Sequence, residues 1–224
     1  MLEAIVFDFD GIVVDSEPLH YKAFLLIAEP LGISFSYQQY KQEYIGFDDR
    51  DGFRAMFAQH GLPLDDQRLA QLIADKAEAF EQIVGNITPF PGVRALIEAA
   101  AAAVPTAICS GAMRSDIDAI LPAVLGEHHA DRFKTIVTAD DVTRSKPDPE
   151  SYALAASRLG INPARAIAIE DTPAGLASAK AAGFRTLAVT NTYPEAHLEE
   201  ADHVVESLEQ VDLEMLRNQF RIPS

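Results

Sequence analysis

The 224-residue chain has a single cysteine, Cys109. One thiol excludes an internal disulfide and an all-cysteine metal site. It suits a reducing cytoplasm, which is the expected location. Long apolar runs are missing as well. None nears the roughly 20 residues of a membrane span, so no membrane association is expected. No basic segment precedes the first apolar run, and no signal or transit peptide is expected. Positive charge is scarce: 18 Lys and Arg face 34 Asp and Glu, for a net charge of −16. Such a field repels nucleic acid and anionic lipid, so no nucleic-acid partner is expected. It repels phosphorylated metabolites too. A site for one needs lysine, arginine, a helix N-terminus or a metal ion gathered locally. Repeats and low-complexity linkers are also lacking.

What is present is ordinary for a soluble enzyme: 48% apolar and 23% charged residues. Short apolar runs read as buried parallel strands: Leu2–Phe7, Thr106–Cys109, Thr135–Val137, Ala166–Ile169, Thr186–Val189 and the weaker His203–Val205. Helical patterns separate them: Val93–Ala103, Ser115–Leu121 with Pro122 near its end, Glu150–Leu159 before Gly160, and Pro173–Ala182 with Thr172 as N-cap and Gly183 as stop. Alternation of this kind predicts a Rossmann-like parallel α/β sheet. From about Glu17 to Val84 the alternation stops, and helix follows helix: Pro18–Ala28, Tyr37–Tyr44 behind a Ser36-x-x-Gln39 capping box, Arg50–Gln59 and Asp66–Val84. This predicts a small helical domain, residues 16–86, inserted after the first strand into an α/β core of residues 1–15 plus 87–224.

Ligands of open α/β sheets bind at the carboxyl ends of strands. Asp8-Phe9-Asp10-Gly11 follows the first strand, and Ser110-Gly111-Ala112 the second. Glu170-Asp171 follows the fourth, and Ser145-Lys146-Pro147 precedes it. Four carboxylates, a hydroxyl, a small-residue turn and one lysine suit Mg²⁺ and a phosphoryl group. Each motif has a plain alternative: a solvated loop, an acidic helix start, a turn serine, a surface lysine. It is the order of all of them at strand ends that carries the reading.

These residues, with Asp15-Ser16-Glu17, Gly175 and Gly183, resemble the haloacid dehalogenase superfamily over nearly the whole chain. The branch resembled carries a helical cap after the first strand, as in β-phosphoglucomutase and phosphoglycolate phosphatase. The resemblance implies Asp8 as nucleophile, forming an aspartyl-phosphate, and Asp10 as general acid and base. It implies Asp8, the Asp10 carbonyl and Asp171 as Mg²⁺ ligands, with Glu170 a ligand or just behind them. Ser110 with the N–H groups of Gly111 and Ala112 would hold the phosphate, and Lys146 would neutralise it. In the cap, Arg50 would grip a second anionic group, and His20 would reach the substrate or assist Asp10.

The implied activity is hydrolysis of a small phosphorylated metabolite by a monomeric, Mg²⁺-dependent phosphatase. The alternative is a sugar-phosphate mutase of the β-phosphoglucomutase type. Two departures weigh against it: Ser110 is followed by Gly-Ala-Met, with Arg114 the first cation, and Arg50 lies one residue further from Gly46 than the mutase pattern has it. Asp10 argues against the carbon–halogen and phosphonate-cleaving relatives, which lack this second acid. A phospho-receiver domain fits less well, since those carry no helical insertion. His128-His129 reads as surface, Asp140-Asp141 as beside the site, and Cys109 as core.

Overall fold

The computed structural model describes residues 1–45, 47–85, 87–126 and 129–220, the side chains of 129 and 130 aside. Strand β1 (Ala4–Phe7) lies inside a six-stranded sheet. On one side stand β2 (Thr106–Cys109) and β3 (Thr135–Val137); on the other, β4 (Ala166–Glu170), β5 (Arg185–Val189) and β6 (His203–Val205). Every pairing is parallel, in the order β3-β2-β1-β4-β5-β6. The chain therefore reverses its direction of travel at β1, which is where a doubly wound sheet opens a crevice.

The two faces of the sheet are built differently. Ile5, Phe7, Ile108, Ile167, Ile169, Leu187 and Val189 point to one face, where α5 (Val93–Ala103), α6 (Arg114–Leu125) and α9 (Leu213–Gln219) supply the rest of the core. Ala4, Val6, Ala107, Cys109, Ala166 and Ala168 point to the other, under α7 (Glu150–Leu159) and α8 (Pro173–Ala181). The alternation follows from the two-residue period of a strand. Small residues on the second face leave room for Tyr152 and Phe184 to pack close to the strands.

Between β1 and α5 come four helices and, among the described residues, no strand: α1 (Glu17–Ala28), α2 (Tyr37–Glu43), α3 (Asp49–Gln59) and α4 (Asp66–Ile83). The Ser36–Gln39 capping box forms as the spacing predicts. These helices have an apolar core of their own, built on Phe24, Tyr40, Phe53, Met56, Phe57 and Leu72. Phe80 and Ala23 reach past it into the core beneath the sheet. Where the chain leaves and re-enters the sheet, Val14 and Pro89 form an isolated antiparallel bridge.

Three details differ from expectation. Helix α6 runs through Pro122 to Leu125 instead of stopping. Burial of Ile120, Leu121 and Val124 outweighs the one backbone bond that proline removes. Helix α3 starts at Asp49, because Asp48 and not a later residue is its N-cap. Helix α9, capped by Asp212, was not visible as a separate apolar pattern. His128-His129, Gly46 and Asn86 lie outside the residues whose side chains are described.

Candidate active site

Sheet register brings the strand-end motifs together. Phe7 pairs with Ile108 on one side and Ile169 on the other. The next residues, Asp8, Cys109-Ser110 and Glu170, must then be lateral neighbours. The Asp8 N–H donates to the Ile169 carbonyl at 2.9 Å, and the Ser110 N–H to Val137 at 2.9 Å. Lys146 Nζ crosses this row. It donates to Asp8 Oδ1 at 2.8 Å, Glu170 Oε1 at 2.7 Å and the Cys109 carbonyl at 3.0 Å. Those two carboxylates hold its ammonium well above the ordinary lysine range against burial.

Glu170 is fully engaged. Oε1 accepts from Lys146 and from the Tyr152 hydroxyl at 2.8 Å; Oε2 accepts from the Asp171 N–H and Thr172 Oγ1. Asp171 is different: its Oδ1 is buried and has no hydrogen-bond partner. Oxygens of Asp8, Glu170 and Asp171 all lie within 4.8 Å of one another. Burial and this crowding show in the acidity of Asp8 and Asp171. Burial, then the Glu170 charge, pushes the Asp8 carboxyl up to about 8 despite Lys146. Burial with the charges of Asp8 and Glu170 pushes Asp171 well above the usual carboxylate range. Glycine makes room for this cluster. A Cβ on Gly11, whose φ is +83°, would lie 1.8 Å from Asp171 Oδ2, and one on Gly175 would lie 2.0 Å from the Glu170 carboxylate. An orphaned oxygen, crowded carboxylates and a glycine-cleared cradle fit a small divalent cation.

Asp10 faces other partners. Ser16 donates to Asp10 Oδ1, His20 Nε2 lies 3.6 Å from the same oxygen, and Ser110 Oγ donates weakly to Oδ2 at 3.4 Å. Burial pushes Asp10 up, but the His20 ring and Ser16 prevail and hold it below its ordinary value. His20 stacks on Phe80, with ring centroids 4.6 Å apart. Behind it stands Lys76, whose side chain is 0% exposed. Its Nζ donates to Asp49 Oδ1 at 2.7 Å, His20 Nδ1 at 2.9 Å and Asp116 Oδ2 at 3.3 Å. An ammonium can only donate, so Nδ1 accepts and the ring N–H sits on Nε2, facing Asp10.

Both aspartates open on one cavity of about 420 Å³ between the sheet edge and the inserted helices. Gly111, Ala112, Lys146 and Asp171 line it from below; His20, Glu17, Tyr40 and Asp49 are among those lining it from above. The volume falls within the range of small-molecule sites, roughly 300–1,000 Å³.

Residues 5–189 match the family model described as haloacid dehalogenase-like hydrolase. The chain is 32% identical to protein CbbY of Rhodobacter capsulatus over 86% of its length and 87% of the relative's. It is 29% identical to a validoxylamine A 7′-phosphate phosphatase of Streptomyces hygroscopicus subsp. limoneus, covering 94% and 96%. Among solved structures, a variant of CbbY from Rhodobacter sphaeroides in complex with xylulose-(1,5)bisphosphate superposes with a TM-score of 0.83 at 29% identity, covering 93% of this chain and 95% of that one. The chain belongs to the haloacid dehalogenase-like hydrolases. Its phosphatase relatives class it as a phosphatase of that superfamily.

The chain gathers Asp8, Asp10, Lys146, Asp171 and His20 around one cavity edge, with Glu170 fully buried behind Lys146. Gly111 and Ala112 form the wall there, and Ser110 sits just behind them, its hydroxyl accepting the Ala112 N–H at 2.9 Å. Arg50 is the exception. It donates to Asp48 Oδ2 at 2.8 and 3.1 Å and to the Ala139 carbonyl at 2.8 Å, and does not line the cavity. The physical reason is the early start of α3. With Asp48 as N-cap, Asp49 turns inward to Lys76, and Arg50, about 100° further round the helix, turns to the rim. Asp140 and Asp141 stand beside the site, bonded to the Arg114 N–H and to Arg158. Cys109 is buried, which pushes its thiol up to about 12 and leaves it inert.

Sequence reasoning missed Lys76, Asp116 and Tyr40, and gave Glu17 and Asp49 no role of their own. For Lys76 a signal existed. Leu69, Leu72, Lys76 and Phe80 lie on one buried stripe of α4, so a lysine occupied an apolar position. A charge there needs partners.

Proposed function

We propose that the chain is a Mg²⁺-dependent phosphatase of a small phosphorylated metabolite, working through an aspartyl-phosphate on Asp8, with residues 16–86 as its cap. One observation carries this reading: Asp8 and Asp10 open on the same cavity but have opposite partners. Asp8 lies between Lys146 and the acidic pair, as a nucleophile beside a charged phosphoryl group should. Asp10 is held by Ser16 and His20, as a proton carrier on the leaving-group side should be.

In the first step an Asp8 oxygen attacks phosphorus, the ester P–O bond breaks, and the leaving oxygen takes a proton from Asp10. In the second, Asp10 takes a proton from water, the water oxygen attacks phosphorus, and the bond to Asp8 breaks to release inorganic phosphate. Asp10 rests as a carboxylate and takes up a proton from solvent as substrate binds, because the phosphoryl dianion raises its proton affinity by like-charge repulsion; that proton is the one it gives the leaving oxygen, and the proton taken from water in the second step returns to solvent with product release. Lys146 neutralises the group in transfer, and Gly111 and Ala112 shape its seat. Asp8, Asp171 and the Asp10 carbonyl would hold Mg²⁺, which supplies charge compensation for the phosphoryl oxygens. Glu170 orients Lys146 and the start of α8.

A second reading, the sugar-phosphate mutase, draws on the buried Lys76–His20–Asp10 chain, which ties proton transfer to the cap. Against it, Lys146 is the sole Lys or Arg among the described residues lining the cavity. The test is mass spectrometry of the enzyme mixed with a phosphomonoester and Mg²⁺. A transient gain of one phosphoryl group on Asp8 is expected, absent in Asp8→Asn, with EDTA stopping phosphate release. Turnover by Asp8→Asn would sink the covalent route. A phosphoenzyme lasting minutes, with isomerisation of β-glucose 1-phosphate, would favour the mutase.

A further inference from the structure

Asp48 belongs to the inserted segment, yet half of its carboxylate is spent on the core. Its side chain is 2% exposed. Oδ1 accepts the Asp51 N–H at 2.9 Å and caps helix α3. A serine or asparagine would cap as well, without burying a charge. Capping therefore leaves Oδ2 unexplained. That oxygen accepts from Arg50 and, across the boundary with the core, from Ser145 Oγ at 3.2 Å.

The core residue it reaches stands next to Lys146. The Ser145 carbonyl accepts the Asp148 N–H at 3.0 Å, which closes a turn with Lys146 at its second position. From this turn the Lys146 side chain runs to Asp8, Glu170 and the Cys109 carbonyl. A second path starts from the same carboxylate. Arg50 Nη2 bridges Asp48 Oδ2 and the Ala139 carbonyl, at 2.8 Å each, and the Ala139 N–H donates to the Ala112 carbonyl at 3.0 Å. Ala112 and Lys146 line the cavity, whereas Ser145 and Arg50 do not.

Resting on the phosphatase reading of the Asp8 end, we propose that Asp48 is a positioning residue for Lys146. With the inserted helices seated on the core, Asp48 holds Ser145, and Ser145 holds the turn from which the ammonium meets the phosphoryl group. A lysine has a flexible four-carbon stem, so fixing its root limits where its charge can go. Charge compensation at Asp8 is thereby tied to the seating of the cap. Asp48 acts through the core and not on the substrate, since both its oxygens already have donors.

The test is a set of double-mutant cycles, read as kcat and KM of the full chain with Mg²⁺ on a small aryl phosphate. Ser145→Ala removes one hydroxyl that lies off the cavity. It should lower kcat about tenfold, the worth of one hydrogen bond to a charged group, and leave KM unchanged. Asp48→Ser keeps a helix cap but cannot span to Ser145. It should lose at least as much, and adding Ser145→Ala to it should cost nothing more. In a Lys146→Ala background, Ser145→Ala should leave the residual kcat unchanged, because the group it positions is gone. A contact that only holds the fold together would lower kcat by the same factor with and without Lys146, and that result would overturn the inference. Wild-type kcat in Ser145→Ala would overturn it too. Both outcomes leave the phosphatase reading intact, whereas no hydrolysis of any ester by the unaltered chain would overturn both.

Discussion

Two buried lysines, each between two carboxylates, lie on opposite sides of the same cavity. Lys146 bridges Asp8 and Glu170 at the sheet edge; Lys76 bridges Asp49 and Asp116 where helix α4 meets α6. They differ in access. The Lys146 side chain is 13% exposed and borders the cavity, with the orphaned oxygen of Asp171 close by. Lys76 is sealed, with its three donors used and the rings of Phe24 and Phe80 about it at 5.0 and 5.4 Å. An accessible charge cluster can exchange its partners for a substrate. A sealed one can only hold its surroundings in place. The pair thus separates chemistry from construction with the same residue types.

Substitution should pull the two apart. Lys146→Ala is expected to lower kcat about 10²–10³-fold, the cost of one preorganised electrostatic contact. Steady-state kinetics on any accepted ester measures it, and a loss confined to KM would contradict a role in the transferring group. Lys76→Met should instead show first in stability. It leaves Asp49 and Asp116 buried together without a counter-charge, a change worth about 3–5 kcal/mol. Urea unfolding read by circular dichroism would record it as a fall in midpoint. If Lys76→Met were as stable as the parent and Lys146→Ala were not, the division drawn here would be reversed.

The two clusters were also unequally legible. Asp8, Asp10, Ser110, Glu170 and Asp171 could be grouped from the sequence because each ends a strand or sits in the turn beside one, and Lys146, in the loop before α7, by its place between the third and fourth strands. A parallel sheet turns such positions into neighbours whatever the packing details. Five of the six strand runs matched closely for the same reason: they are short, apolar and bounded by turns. Helix interiors give less. Lys76 meets His20 and Asp116 only because α4 packs on α1 and α6, and no local pattern encodes that packing. Arg50 was expected to face the substrate; it follows Asp49 by one residue, about 100° further round α3, and in the structure is bonded to Asp48 and the Ala139 carbonyl at the rim. Pro122 was misread because its local cost was visible and the tertiary gain from Ile120, Leu121 and Val124 was not.

Arg50 gives the smallest expected effect and the finest test of the comparison. It joins the inserted helices to the core through the Ala139 carbonyl, as Lys76 does through Asp116, but at a rim where its side chain is 30% exposed and paired with Asp48 of its own helix start. Solvent screens such a pair, and exposed ion pairs contribute about 0–1 kcal/mol. Arg50→Ala should therefore shift the urea midpoint far less than Lys76→Met. It should change kcat/KM a few-fold and by the same factor on a sugar phosphate and on a small aryl phosphate, because the side chain ties cap to core and touches neither leaving group. Unequal losses on the two esters would show that the guanidinium swings into the cavity when substrate binds.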